Sequence, residues 1–535
     1  MATAQARDPE AAATPAHDGA GSLNEPLAGV RRGIVRGGAW YAVAWLVTNV
    51  CGALNTILLV RSMSHSQYGV FVMAASTMAI ICSVASFGLS QVLVQLSPRV
   101  GGDGAQVVVR YALLVSVVIA TGVAVVTGIA CLVLGVDHYQ VLAVTLAIMI
   151  PIAVMSPFMS SLSGFLQSVQ QPKRLARALL VTPLIVSATF VALCMTTHPA
   201  ATWIAAARTV AALVTLVFLI VMVHRAGGFK RPSRAPSRDS GVSFGRVLTL
   251  GGALLGGPLS AILLAQLDVL FLGFARGRES AAFYGPASQI ADNALTMAAI
   301  VGTFYLPTIA TVLTRRDFLQ AGDVYCWASR WSFVLVAPVV AVMLTCPGSV
   351  LTLLFGADYD QMATPVRILA LGVLVNVLFG FNGITVDSLN KVKLIIGRQV
   401  IACVFNVAAC AVLIPSFGAT GAAIATASTL LVINLTASLF LFQQTGIVPP
   451  NLRLFAVACG LAVSVASGLA VHGVAMQNVL RIALIGAITI TLCASVSYLV
   501  SGRSERRAIR TGIGRGLRNL VSHYVLHPTR SVGEQ

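Results

Sequence analysis

The sequence predicts an all-α polytopic membrane protein of about fourteen transmembrane helices. Two six-helix lobes, related by a pseudo-two-fold axis along the membrane normal, are followed by two C-terminal helices. Three observations predict it. Of 535 residues, 57% are hydrophobic and only 10% charged, with a mean hydropathy of +0.88, whereas soluble domains carry about 25% charge. Apolar runs of the roughly 20 residues needed to span a bilayer recur along the chain with short connections. Finally, Leu58-Leu-Val-Arg61-Ser-Met-Ser-His-Ser-Gln-Tyr68-Gly69 is echoed by Leu272-Gly-Phe-Ala-Arg276-Gly-Arg278-Glu-Ser-Ala-Ala-Phe-Tyr284-Gly285, and Leu132-Val-Leu-Gly135-Val-Asp137-His-Tyr139 by Leu353-Leu-Phe-Gly356-Ala-Asp358-Tyr359. Two matches at nearly one offset argue for duplicated halves, a hallmark of transporters.

The first 26 residues mix Arg7, Asp8, Glu10, Asp18 and Glu25 with Ala, Gly and Pro and lack an apolar core, so they read as a disordered tail rather than a signal peptide. Residues 1–38 form a basic cytoplasmic N-terminus. Spans follow at 39–60, 68–93, 107–133, 141–166, 177–196 and 201–223, giving an N-lobe over 39–223. The stretch 224–246 is basic and carries Pro232 and Pro236, which marks it as an inner linker. The C-lobe, 247–442, holds spans at 247–273, 284–312, 324–345, 364–387, 397–414 and 418–442. Two more, 453–473 and 479–500, lie in an appendage over 443–500, and the tail 501–535 reads as a basic amphipathic helix on the inner leaflet.

With the N-terminus inside, the inner segments hold most of the arginines and lysines. The outer ends hold only Arg61, Arg276, Arg278, Arg367 and Arg481. That bias puts both termini in the cytoplasm. Six spans is an even number, so both halves enter the membrane with one polarity, which is why the symmetry axis lies along the normal.

The formal charge of +18 does not call for nucleic acid, because its cations sit between apolar runs or in the tail, where anionic membrane lipids are the partner. The 10 cysteines fall mostly inside apolar runs without a C-x-x-C pair and read as small core hydrophobes rather than metal ligands or disulfides. There is no Walker A, H-E-x-x-H or G-x-S-x-G motif and no large outer loop with paired carboxylates. No catalytic residue, cofactor or metal is expected, and transport is favoured over catalysis.

Polar residues inside apolar helices therefore carry the chemistry. In the eighth span Gln289, Asp292, Asn293 and Thr296 fall at i, i+3, i+4 and i+7, one polar face. It either lines a water-filled interior or bonds neighbouring helices. A weaker stripe in the first span runs from Thr48 through Gly52 to Asn55 and Thr56. Arg208 lies deep in the sixth span and Asp268 near the outer end of the seventh. A structural ion pair of Arg208 with Asp268 or Asp292 is the favoured reading, and an anionic ligand is the alternative. Arg61, Arg276, Arg278 and Arg367 at the outer mouth either snorkel to headgroups or ring a phosphate. Gly251, Gly252, Gly256, Gly257 and Pro258 in the seventh span point to close packing, or to a hinge.

Arg61-Ser-Met-Ser-His-Ser-Gln-Tyr68-Gly69-Val-Phe71, Phe87-Gly88-Leu89, Gln266-Leu-Asp268, Leu353-Leu-Phe-Gly356-Ala-Asp-Tyr359 and Leu413-Ile-Pro415-Ser-Phe-Gly418-Ala-Thr-Gly421-Ala-Ala-Ile-Ala425 follow one another along the chain. Through them the chain, from about residue 28 to 500, resembles the polysaccharide transport or Wzx-like lipid-linked oligosaccharide flippases of the MATE/MurJ/Wzx superfamily. The resemblance implies two lobes about a central, often cationic cavity that open alternately and move an undecaprenyl-pyrophosphate-linked glycan outwards across a bacterial inner membrane. Polysaccharide-assembly proteins and a coupling cation or proton would be further partners. Apart from Arg208, few basic residues are placed deep within the helices, which keeps open a MATE-like ion-coupled exporter using Asp268 or Asp292. A membrane-embedded glycan ligase or glycosyltransferase is a weaker alternative.

Overall fold

The computed structural model describes residues 44, 46–100, 102–136, 140–169, 172–196, 199–229, 243–389, 392–447, 452–471 and 477–501. The expected N-terminal tail, most of the inner linker and the amphipathic C-terminal tail lie outside these residues. In chain order the helices are α1 (Leu46–Ser62), α2 (His65–Ser86), α3 (Leu89–Val100), α4 (Gly102–Val136), α5 (Gln140–Ser168), α6 (Pro172–Thr196), α7 (Ala201–Arg225) and α8 (Phe244–Arg276). They continue with α9 (Arg278–Thr314), α10 (Phe318–Thr345), α11 (Pro347–Phe355), α12 (Ala363–Phe379), α13 (Asn382–Ser388), α14 (Val392–Thr445), α15 (Leu452–Val471) and α16 (Asn478–Val500).

Among the described residues, 10 stretches are long and apolar enough to cross a membrane, with Leu46–Ser62 and Leu454–Leu469 as shorter apolar helices. One of the ten, Ile395–Thr445, covers two expected spans, because α14 runs through both with Gly418 (φ 57°, ψ −131°) as its non-helical point. The eighth expected span is α9, 37 residues long. Each of the fourteen expected spans therefore has its helix. Their lipid-facing sides are apolar, as at Val118, Val126, Leu132 and Val412, since hydrocarbon solvates such side chains as well as a core does.

Local chemistry sets the helix ends. Ser64, Ser243 and Asp317 are N-caps whose side chains accept from the amides of Gln67, Arg246 and Gln320, satisfying donors that have no partner within the helix. Two expected spans are broken. The second divides at Phe87 (φ 47°) and Gly88 (φ 63°), and the tenth, expected to run unbroken to 387, divides at Gly380 (φ 66°) between α12 and α13. A left-handed residue ends the run of helical hydrogen bonds.

In the first half, α5 packs against α2, α3, α4 and α7. In the second, α14 packs against α8 and α12, and α10 against α9 and α12. The last two helices pack together and both lean on α10, an added pair on the outside of the second lobe. The halves meet through α2 against α8 and α9, and α3 against α8.

This meeting has two seams. At the end bearing the α1–α2 turn, expected from the charge bias to be the outer one, the two repeated Tyr-Gly segments cross. A Cβ on Gly69 would overlap the carbonyl of Arg278, and one on Gly285 would lie 3.0 Å from Val72 Cγ1. Tyr68 and Tyr284 are both buried there. Towards the other end, a Cβ on Gly88 would lie 2.9 Å from the Gly251 carbonyl oxygen, and one on Gly251 would lie 2.8 Å from that of Phe87. Glycine is what lets backbone meet backbone at both places. Gly251 therefore has the packing role, whereas Gly256 meets nothing within 4 Å.

Candidate functional site

Between the seams lies a cavity of ≈ 380 Å³. Its walls come from both halves: Asn49 of α1, Tyr68, Phe71 and Ser76 of α2 and Arg208 of α7 on one side, and Gln266 of α8 with Ser288, Gln289, Asp292, Asn293 and Thr296 of α9 on the other. All four members of the polar stripe on α9 reach this one space. The helical period puts them on a single face, and the crossing of α9 over α2 turns that face inward. In the first half the expected stripe gives way to Asn49. Thr48 and Thr56 instead donate to the carbonyls of Ala44 and Gly52 within their own helix, and Asn55 is buried. Asn49 lies one residue from Thr48, so the period was legible there but its phase was not.

The favoured ion pair does not form. Among the described residues no carboxylate lies within 4 Å of Arg208, whose guanidinium carbon sits 5.7 Å from the centroid of the Phe71 ring. The aromatic face supports the cation and leaves its planar fork of donors to the cavity. Asp268 is occupied elsewhere. Buried at 3% exposure, its carboxylate accepts from Tyr284 Oη at 2.9 Å, Thr426 Oγ1 at 3.0 Å and the Val269 amide at 2.8 Å. Asp292, by contrast, is exposed to the cavity. A second, smaller cavity of ≈ 20 Å³ is lined by Asp268, Asp292, Ser288 and Thr426, enough room for one water-sized occupant.

The arginines expected at the outer mouth have a use that neither sequence reading anticipates. Arg61 donates to the carbonyls of Leu353 and Leu354, through Nε to Leu354 at 2.9 Å. Arg276 donates to those of Pro415 and Ser416, the latter at 3.3 Å, and Arg367 Nε to that of Leu344 at 3.3 Å. These carbonyls stand at helix ends or beside the Gly418 break, where acceptors lack helical partners and cations are favoured. Arg61, Arg276 and Arg367 are thus engaged at the rim, and none of them lines the cavity. His65 adds a crossing contact of 3.2 Å to Asp358, with its ring 4.7 Å from that of Phe283.

Sequence reasoning also passed over Arg330, 2% exposed within α10. Its neighbours Trp331 and Phe333 made that window look uniformly apolar. Gln266 entered only as part of a motif, and Phe71 carried no signal as a cation's platform.

The two carboxylates should separate experimentally. Asp268→Ala leaves the buried Tyr284 hydroxyl without its acceptor, a loss of about 1–3 kcal/mol, and should lower the thermal unfolding midpoint in detergent. Asp292→Ala opens onto the cavity and should leave that midpoint nearly unchanged. Equal stabilities for the two variants would contradict the structural role of the hydrogen bonds to Asp268.

A family model for polysaccharide biosynthesis proteins matches residues 34–313 of the chain. No curated protein sequence matches it. Among solved structures, a lipid II flippase MurJ in an inward closed conformation aligns at a TM-score of 0.69 and 11% identity, over 86% of this chain and 98% of that one. An inward-facing multidrug resistance MATE family transporter of the MOP superfamily aligns at 0.62 and 14% identity, over 76% of this chain and 98% of its own. An outward-facing MATE transporter aligns at 0.58 and 14%, over 77% and 95%. At such identities the likeness is one of fold.

Proposed function

The chain belongs to the polysaccharide biosynthesis protein family, and on that basis we propose that it is a flippase. Its cargo is a lipid-linked oligosaccharide or polysaccharide precursor of the undecaprenyl-pyrophosphate type. It moves that precursor from the inner to the outer leaflet of the bacterial inner membrane by alternating access. The lobes are 39–223 and 247–442, with both termini cytoplasmic, in keeping with the charge bias. The polytopic helices and the transporter fold support transport rather than catalysis.

The observation that carries the reading is Arg208, a cation presented to a cavity with polar side chains from both halves and without a carboxylate partner among the described residues. A glycan headgroup brings hydroxyls and phosphate that cannot enter hydrocarbon unpaired. The side-chain amides of Asn49, Gln266, Gln289 and Asn293 offer both donors and acceptors to the hydroxyls. Arg208 offers two parallel donors to a phosphate. The lipid tail stays in the bilayer while the two seams part in turn, so that the headgroup meets water on one side at a time.

A second reading, a MATE-like ion-coupled small-molecule exporter, draws support from the small cavity shared by Asp268 and Asp292. A reconstituted flipping assay with candidate lipid-linked glycans separates the two. Wild type should translocate glycan, and the combined Arg208→Ala, Asp268→Ala, Asp292→Ala variant should not. Full activity in that variant removes the site assignment, and drug efflux without glycan movement selects the exporter.

A further inference from the structure

Apart from the central cavity, the first lobe carries a groove of ≈ 560 Å³ formed by α4, α5 and α7 with the turn after α7. Val117, Phe158, Leu162, Ile220 and Phe229 line it, and its one charged member is Arg110. We propose that this groove holds a resident anionic glycerophospholipid of the inner leaflet, one acyl chain lying among the apolar side chains and the phosphate on Arg110.

Depth supports that pose. Arg110 is four residues inside the apolar stretch Gln106–Val133, about 6 Å at 1.5 Å per residue, a distance an arginine covers by extending towards the headgroups. Phe229 lies in the turn just beyond α7 and marks the same level. Val117 is two helical turns deeper on α4, on the face that carries Arg110. On the charge bias this end is cytoplasmic, where anionic lipid meets a basic surface.

Chemistry selects the occupant. Bilayer tails are as apolar as the groove, so burying a chain does not distinguish one lipid from another. The headgroup does, and a guanidinium favours a phosphate with no ammonium beside it. The polyprenyl chain of a transported carrier is a poorer fit, because its head would sit in the central cavity. That cavity and the groove share no lining residue, and α5, packed on α2 and on α4, stands between them.

The test is lipid binding, independent of transport, so failure of the flipping assay leaves it intact. Full-length protein is purified, delipidated and titrated with phosphatidylglycerol or phosphatidylcholine of matched chains, read by native mass spectrometry. Phosphatidylglycerol should bind about tenfold more tightly, as one charge-assisted contact allows. Arg110→Gln should erase that preference, and Val117→Trp, which fills the groove, should weaken both lipids. Arg315→Gln, an exposed arginine outside the groove, should keep the preference and serves as the folding control. Equal binding of the two lipids by wild type overturns the proposal. So does a preference that survives in Arg110→Gln, or displacement of phosphatidylglycerol by undecaprenyl phosphate at lower concentration.

Discussion

Replacing Arg208 with alanine is expected to reduce glycan translocation on the order of ten- to a hundredfold while leaving the fold almost as stable as before. The first figure follows from losing a charge-assisted hydrogen bond to phosphate, about 1.5–3 kcal/mol, at 1.4 kcal/mol per factor of ten. The second follows from the surroundings: no ion pair is given up among the described residues, and the contact with Phe71 at 5.7 Å contributes about 0.5–1 kcal/mol, rising to about 2 where water is excluded. An arginine in a buried ion pair would behave in the opposite way, since breaking such a pair costs about 3–5 kcal/mol. Arg208→Lys should fall between alanine and wild type, because it keeps the charge but not the two-pronged geometry. Flipping rates and unfolding midpoints measured on the same preparations decide the matter. A variant that unfolds early and transports at the normal rate once folded would assign Arg208 to structure.

Gly69→Val should have the other large effect. Its Cβ would overlap the Arg278 carbonyl, and a backbone atom at the start of α9 cannot swing aside as a long side chain can. The helices must part, and overpacking of this kind costs about 1–3 kcal/mol. On the proposed alternating access, that cost falls on the state with this seam shut, so the balance between forms with the seam shut and open should shift by roughly five- to 150-fold. Spin labels at Ser62→Cys and Ser280→Cys should report a longer distance than in the parent, and translocation should slow because one of its two states has become costly. An unchanged distance distribution would mean that the crossing of the Tyr-Gly segments does not hold the seam. Gly251→Val should act on the opposite side, through the carbonyl of Phe87.

What could be read from the sequence was whatever repeats along one helix. Apolar runs gave the spans, and a four-residue polar stripe gave the wall of the cavity at Gln289, Asp292, Asn293 and Thr296, because both depend only on period and length. What depends on which helices cross, and at what height, was not legible. Arg208 and Asp268 looked like partners because both are scarce intramembrane charges. Three short hydrogen bonds to Asp268 from α8, α9 and α14 had already answered that carboxylate's needs. The arginines at the rim read as headgroup snorkels or a phosphate ring because their actual targets are main-chain carbonyls, which every residue possesses and no sequence pattern marks. Breaks at Phe87, Gly88 and Gly380 were hidden for a related reason: glycine is common in membrane helices, and only its backbone angle distinguishes a break from a packing notch.

The repeated arginines, finally, are no longer repeats of each other. A symmetric counterpart to the grip of Arg61 on Leu353 and Leu354 would join Arg276 to Leu132 and Val133. Arg276 instead turns to Pro415 and Ser416 in its own half, and Leu132 and Val133 stand 74% and 62% exposed. One copy of the motif has become a clasp between the lobes and the other a staple within one. Two identical lobes would have no preferred hand and could idle in either posture. In the proposed alternating access, swinging outward would undo Arg61's grip and leave Arg276's in place. The repeat read in the sequence describes a hinge with two equal leaves, and the different partner of a single side chain puts the catch on one of them.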